Sequence, residues 1–340
     1  MIAGRATPSG TSRYSSRFRA DFYRNAGDLS VSSLGLGTYL GSPDDRTDQG
    51  YITAVAAAVC GGINVLDAAI NYRYQRSERS IGAALSRLIA SGEFSRDEIV
   101  VCTKAGFLTP DAVDPATLRD GDVVAGMHSM APDFVVDQIN RCRANLGLDT
   151  LDVFYLHNPE TQLGHITREQ FDGRIHSAFT RLEQIVAQGK IGCYGAATWD
   201  GFRKADALEL PRLVEIAREV GGPDHHFRFI QLPFNLAMPE AYTRGPVTVL
   251  EAAREAGVTV VASASLMQAK LSRGLPQELA AKFPGLDTDA QRAIQFTRST
   301  PGIAVALVGM SDAAHVAENL AVSRVAPLEP ETYRRLYQNG

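Results

Sequence analysis

Eight short apolar runs, each followed by a longer amphipathic stretch, limit what this chain of 340 residues can fold into more than any other feature. The runs lie at 33–37, 63–67, 99–103, 152–157, 191–195, 229–232, 258–262 and 303–308, and they are rich in Val, Ile and Leu. Helical stretches follow at 49–60, 77–90, 132–146, 175–188, 211–220, 247–256, 290–300 and 313–322. Two of them stop at glycine, Gln188-Gly189 and Ala256-Gly257, where a residue without a Cβ takes the left-handed turn that ends a helix. Strands joined through helices run parallel, and eight such units close into a (β/α)8 TIM barrel of the α/β class. An open dinucleotide-binding sheet would need a glycine-rich turn after its first strand. Gly35-Leu36-Gly37-Thr38 is not continued by the spacing that turn requires. A single domain over 28–340 is therefore expected. Residues 28–33 form an extra short strand pair at the barrel floor in this reading, and residues 1–27 an N-terminal arm.

Charge and cysteine content narrow the partners. With 34 Lys and Arg against 38 Asp and Glu, the formal net charge is −4. Such a balance gives no general attraction for nucleic acid or an anionic membrane surface, and neither is expected as a partner. No run approaches the ~18 apolar residues of a membrane helix. Cys60, Cys102, Cys142 and Cys193 stand far apart with no CxxC pair. They read as buried, reduced thiols in a cytoplasmic protein, and no metal site is expected. The first 24 residues carry Arg5, Arg13, Arg17, Arg19 and Arg24 among serines, with Asp21 as the one acid. That composition suits an extended surface arm, the reading taken here, or an organellar transit peptide.

Barrels of this kind place their chemistry at the carboxyl ends of the strands. Asp67, Lys104 and His157 close the second, third and fourth runs, and Tyr72 follows Asp67 by five residues. Each has a commoner structural explanation when taken alone: a cap, a lysine reaching solvent, a packing ring. Together they supply an acid, its activator and a counter-charge in one mouth. Reducing a carbonyl needs a proton at oxygen as hydride reaches carbon. A tyrosine hydroxyl can give it if a neighbouring ammonium draws its pKa below the usual ~10. Lys104 is placed to be that ammonium, Asp67 to keep it charged, and His157 to hydrogen-bond the substrate oxygen. The stretch 106–131, rich in Asp, Pro, Thr and Gly, separates the third run from its helix. A loop of this length is a lid or a disordered insertion, and its place at the mouth favours the lid. Tyr39, Tyr74, Phe107 and Trp199 are candidate walls of a substrate pocket, with packing an equal reading for Trp199.

The segments Asp67-Ala68-Ala69-Ile70-Asn71-Tyr72, Thr103-Lys104, Leu156-His157-Asn158-Pro159-Glu160, Gln231-Leu232-Pro233-Phe234-Asn235 and Val308-Gly309-Met310-Ser311, with Glu318-Asn319-Leu320, resemble the aldo-keto reductase superfamily in the family's order over about 33–322. The resemblance implies that Asp67, Tyr72, Lys104 and His157 form a catalytic tetrad with Tyr72 as general acid/base. It also implies NADP(H), with NAD(H) as the alternative, lying extended across the barrel mouth. Gly37, Thr38 and Asp67 would border the cofactor, with Ala197, Thr198 and Gln231 at its carboxamide. Ser263, Ala264, Ser265, Leu266, Gln268 and Lys270, within the loop 262–271, would hold the pyrophosphate. Gly309 would allow a close approach, and Ser311, His315, Glu318 and Asn319 would meet the adenosine end.

Three departures bear on the cofactor. Ala197-Thr198 stands where the family usually has Ser-Asn, and Ser263 where an aromatic ring often stacks on the nicotinamide. No Arg or Lys flanks Ser311, which leaves His315 as the nearby cation and implies modest discrimination between the two cofactors. The implied activity is reduction of an aldehyde or ketone. Its alternatives are a sugar or polyol dehydrogenase run in the oxidative direction, and a nicotinamide-binding regulatory subunit like the potassium-channel β-subunits of the superfamily.

Overall fold

Eight parallel strands close a barrel in chain order: β1 (Leu34–Gly37), β2 (Val65–Asp67), β3 (Val100–Ala105), β4 (Leu151–His157), β5 (Ile191–Ala197), β6 (Phe227–Pro233), β7 (Thr259–Ser263) and β8 (Ile303–Gly309), with β8 paired back to β1. The structure is a computed structural model that describes residues 1–204 and 207–337. Residues 338–340 of the expected body at 28–340 lie outside the described residues. All eight apolar runs are strands, shifted by a few residues at their ends. Their register sets the mouth: Gly37 pairs with Asp67, His157 with Ala197, and Gln231 with Ala197, so these residues come level at the carboxyl ends.

Outside the strands run α1 (Asp45–Cys60), α2 (Arg76–Ala90), α3 (Pro132–Leu146), α4 (Arg168–Ala187), α5 (Leu210–Gly221), α6 (Val249–Glu255), α7 (Asp289–Ser299) and α8 (Ala313–Leu320). Local chemistry starts and stops them. Asp44 accepts from the Thr47 amide at 2.8 Å to open α1, and Pro132 begins α3, which ends where Gly147 takes φ +67°. Helix α4 starts seven residues earlier than the apolar period suggests. Its first turn is polar, and Thr167 and Gln170 form a reciprocal capping box there.

The lumen is a packed core and no channel. Val65, Cys102, Val153, Tyr155, Phe229 and Val305 fill it, and Ala6, Ala26 and Val31 seal it from below. A second, larger core lies between the barrel and its helices. The seal corrects the expectation of an extended surface arm. Pro8–Ser15 is a helix whose Tyr14 is fully buried, and a hairpin of Tyr23–Ala26 against Leu29–Ser32 begins inside the stretch assigned to the arm. The periodicity of residues 8–15 is too weak and too polar to reveal the helix. Its anchors come from distant sequence, namely Arg13 and Arg17 on Asp97 and Glu98. Segment 1–24, which in composition resembles a transit peptide, is thus part of the folded body.

The loop 106–131 is well packed. It carries a short strand pair, Val123–Val124 with His128–Ser129, buries Thr109, Ala112 and Met130, and accepts a hydrogen bond at the Ala112 carbonyl from Gln138 Nε2 at 2.6 Å. Of the four free thiols, Cys102 and Cys142 are buried and Cys193 is half-buried, but Cys60 is exposed at the end of α1, against expectation. Among the described residues no helix is long and apolar enough to cross a membrane.

Asp152 joins the floor to the barrel. Buried at the start of β4, it accepts from the amides of Ala6 at 2.6 Å and Val101 at 2.7 Å and pairs with the buried Arg96 at 2.7 Å. Removing Asp152 leaves a buried guanidinium without its counter-charge, though still bonded to the Ile99 and Thr150 carbonyls, and two amides unsatisfied. Asp152→Ala is expected to lower the unfolding free energy by about 3–5 kcal/mol in urea titrations. An unchanged midpoint and slope would show that the floor does not depend on it.

Candidate active site

Lys104 organises the mouth. Buried on β3, its Nζ donates to Asp67 Oδ2 at 2.6 Å and to the Ala68 carbonyl at 2.8 Å. The other carboxylate oxygen of Asp67 accepts from Gln231 Nε2 at 2.8 Å, and Thr38 Oγ1 donates to the Asp67 carbonyl at 2.8 Å. Both carboxylate oxygens and the backbone carbonyl of Asp67 are therefore paired within the protein. Burial alone would drive the proton off Lys104; Asp67 and Tyr72 outweigh it and hold the ammonium above its ordinary pKa. Its Nζ lies 4.9 Å from the centroid of the Tyr72 ring.

The turn that delivers Tyr72 is costly. Arg73, Tyr74 and Gln75 follow it with φ of 49°, 54° and 71°, three consecutive side chains in left-handed backbone, each costing about 1–3 kcal/mol. Anchors on α1 and α2 hold them. The buried Arg73 guanidinium is ion-paired to Asp48 and lies 4.5 Å from the centroid of the Tyr51 ring, while Arg76 reaches Asp45 at 2.9 Å and Asp48 at 2.5 Å. This backbone also turns Tyr74 outward. At 58% exposure it does not line the cleft, which corrects its assignment as a pocket wall.

Sequence reasoning expected Lys104 to draw the Tyr72 hydroxyl below 10. In the free protein the opposite holds: burial pushes it up to about 12, against the pull of Lys104. Tyr72 at neutral pH is therefore a phenol that holds its proton. His157 stands edge-on to it, ring centroids 5.8 Å apart at 78°, and edge-on to Phe107 at 5.2 Å and 88°. Burial and then the charge of Lys104 push His157 far below the usual histidine range, so the imidazole is neutral. Its Nδ1 is sealed from solvent without a partner.

A cleft of about 460 Å³ opens above these groups. Gly37, Thr38, Asp67, Tyr72, His157, Ala197, Thr198 and Gln231 form its base, and Tyr39, Phe107 and Trp199 its sides. Ser263, Ala264, Ser265, Leu266, Gln268 and Gly309 continue it to one end. Gln231 lines it with an amide nitrogen already committed to Asp67. Lys270 is exposed outside the cleft, and Ser311, His315, Glu318 and Asn319 stand beyond its walls. Asp312 caps α8 by accepting from the His315 amide at 2.9 Å, and its carboxylate lies 3.3 Å from His315 Nδ1.

Leu40, Asn71, Asn158 and Leu307 also line the cleft and escaped the sequence reading; Ala269 lines it too, within the loop 262–271 that the reading covered without naming it. Asn71 and Asn158 sit inside motifs already singled out, so adjacency to Tyr72 and His157 was an available signal. Leu40 and Leu307 carry none. Glu160 was visible in the His157 motif without a role. Its Oε1 accepts from the amides of Trp199, Asp200 and Gly201 at 2.8, 3.0 and 3.2 Å, which fixes the turn after β5 that carries Trp199. Burial raises its pKa against those three donors.

The loop after β7 is a tight, largely left-handed turn. Ala264, Met267, Gln268 and Ala269 take φ of 53°, 47°, 53° and 68°, and Ser265 Oγ is buried with no partner. Met267, Gln268 and Ala269 are left-handed in succession, and the amides of Met267, Lys270 and Leu271 close the turn on the carbonyls of Ala264, Met267 and Leu266.

The Aldo/keto reductase family model matches residues 33–338, and the chain belongs to that family. It is 32% identical over 193 residues to a D-threo-aldose 1-dehydrogenase of Pseudomonas sp, a match that covers 54% of each chain. To an NADH-specific methylglyoxal reductase of Escherichia coli (strain K12) it is 27% identical over 191 residues, covering 55% of this chain and 54% of that protein. To an NAD(P)H-dependent D-xylose reductase of Kluyveromyces lactis it is 26% identical over 248 residues, 64% of this chain and 65% of that one. The matches thus span between 54% and 65% of these relatives' lengths. In fold it is similar to an aldo/keto reductase from Klebsiella pneumoniae solved with NADP and acetate, with a TM-score of 0.65 at 20% identity over 93% of this chain and 95% of that one.

Replacing Lys104 by Met removes the charge that opposes burial at Tyr72, so the hydroxyl should ionise at still higher pH. The tyrosinate absorbance step that Tyr72→Phe deletes should move upward in Lys104→Met. A step at the same pH in both proteins would separate Lys104 from Tyr72.

Proposed function

We propose that this chain is an NAD(P)(H)-dependent oxidoreductase that reduces an aldehyde or ketone to the alcohol, with Tyr72 as general acid. The observation that carries the reading is the buried Lys104–Asp67 pair beneath the Tyr72 ring, with a neutral His157 at its edge and one cleft above. Family membership supports it, as do the names of relatives, a methylglyoxal reductase and a D-xylose reductase among them.

The residues present suit a dinucleotide. The left-handed run after β7 and the unpartnered Ser265 Oγ offer donors to a pyrophosphate, and Gln231 keeps its Oε1 free of protein donors for a carboxamide. The nicotinamide, when bound, supplies the hydride. His157 Nε2, which has no hydrogen-bond partner among the described residues, orients the carbonyl oxygen by donating to it. Tyr72 gives its proton to that oxygen as negative charge builds there. Lys104, held charged by Asp67, stabilises the phenolate left behind. A phenol held near 12 is matched to a developing alkoxide, which is far more basic than the carbonyl, so the proton moves only as the hydride does.

A second reading, an aldose dehydrogenase acting in the oxidative direction, is favoured by the likeness to the D-threo-aldose 1-dehydrogenase. Assays of aldehydes, ketones and sugars in both directions with both cofactors separate the two. Asp312 is turned to its own helix and to His315, and no Arg or Lys flanks Ser311 to hold a 2′-phosphate. NADP(H) and NAD(H) should therefore bind within about two powers of ten of each other, roughly 2.7 kcal/mol, and a thousandfold preference in fluorescence titrations would contradict this.

Tyr72→Phe should lower turnover by about 10²–10⁴ and leave cofactor dissociation constants nearly unchanged, since only the proton donor is lost. Wild-type turnover in this variant, under conditions where chemistry limits the rate, would remove Tyr72 from the mechanism.

A further inference from the structure

A second histidine lies behind the first. His128, in the loop 106–131, is fully buried, and its Nε2 is 2.8 Å from the backbone carbonyl oxygen of His157. Its Nδ1 is 3.1 Å from Gln162 Nε2, whose Oε1 accepts from Arg174 Nη1 at 2.6 Å. Arg174, on α4, also donates to the Gly121 carbonyl at 2.7 Å. An arginine only donates, so the Gln162 oxygen must face it and the amide nitrogen must face His128. Nδ1 is therefore the acceptor, and the ring proton sits on Nε2 and is donated to His157. Burial also pushes the His128 pKa down to about 4, which keeps the ring neutral.

Packing leaves this relay no slack. Phe107, which walls the cleft, stands edge-on to both rings, 5.2 Å from His128 at 86° and 5.2 Å from His157 at 88°. At Gly106 a Cβ would lie 2.4 Å from the His157 carbonyl oxygen and 2.7 Å from His128 Nε2. Only a glycine lets the three segments approach this closely.

We propose that His128 is a positioning residue: through Arg174, Gln162 and its own Nε2–H it fixes the backbone of His157 and, through Phe107, the adjoining wall of the cleft. This rests on the reading that His157 orients the substrate oxygen. The base of the loop is accordingly a fixed brace and not a swinging lid. Any closure over a ligand is confined to residues farther from His128.

The test compares His128→Leu with His128→Gln, because glutamine keeps a donor able to reach the carbonyl while leucine fills space only. His128→Leu is expected to lower kcat at least tenfold with the cofactor dissociation constant within twofold of wild type, and His128→Gln to recover to within about threefold of wild-type kcat. Ring resonances of His157, followed by NMR in the same proteins, should move in the leucine variant and return in the glutamine one. Wild-type NMR should show His128 protonated on Nε2 alone. The resonance arm decides the positioning of His157 even if no carbonyl substrate turns over, which would instead sink the reading of the site. If His128→Leu does not fold, Gln162→Leu takes its place and should move the His157 resonances likewise. Unmoved His157 resonances, equal losses in His128→Leu and His128→Gln, or a proton on Nδ1 would overturn the proposal.

Discussion

A lysine held charged inside the barrel mouth is the condition on which the rest of this site depends. An ammonium sealed from water keeps its proton only if a carboxylate stands against it, and Asp67 does so at 2.6 Å. Asp67 is held in turn by Gln231 from the far side of the mouth, with Thr38 on its own carbonyl. Strands β1, β2, β3 and β6 are thereby tied together at one level by a single charge pair. A buried pair of this kind adds little net stability, because desolvation consumes most of the attraction. What it provides is a cation in a place where solvent could not hold one.

How far the sequence was legible differs between scaffold and site. The eight strands are readable because each is buried on both faces and so is a short run of β-branched and aliphatic residues. The barrel follows from their number. Asp67, Tyr72, Lys104 and His157 are readable because strand ends are fixed points of this fold. Residues that act through tertiary contact are not. His128 lies 29 positions from His157 in a polar loop, and nothing in Gly126-Met127-His128-Ser129 announces that its ring ends beneath the mouth. The helix at Pro8–Ser15 is hidden for the same reason, its anchors being 82 to 85 residues away. The direction of the Tyr72 shift was misjudged because sequence shows the nearby charge but not the depth of burial, and burial is the larger effect.

Strain and rigidity are concentrated on opposite sides of the cleft. On one side three left-handed residues behind Tyr72 are held by the Arg73–Asp48 pair. On the other the His128 relay holds His157. The two rings that meet over the cleft base are each fixed by contacts to outer helices, α1 and α4 respectively. A substituted helix face could therefore reach the chemistry without touching it, as a 1 Å misplacement of reacting groups is enough to cost rate.

The floor has a consequence for the order in which the molecule can be made. Ala6 bonds to Asp152, 146 residues away, and Ile2 bridges to Leu148. During synthesis Ile2 and Ala6 thus have no docking site until the segment that forms β4 has emerged. Tyr14 meets its partners sooner, because its hydroxyl donates to the Val59 carbonyl and its ring packs against Phe94, both made before β4. Closure of the floor at Asp152 is therefore a late event in synthesis, set by the separation of 146 residues between the groups that meet there.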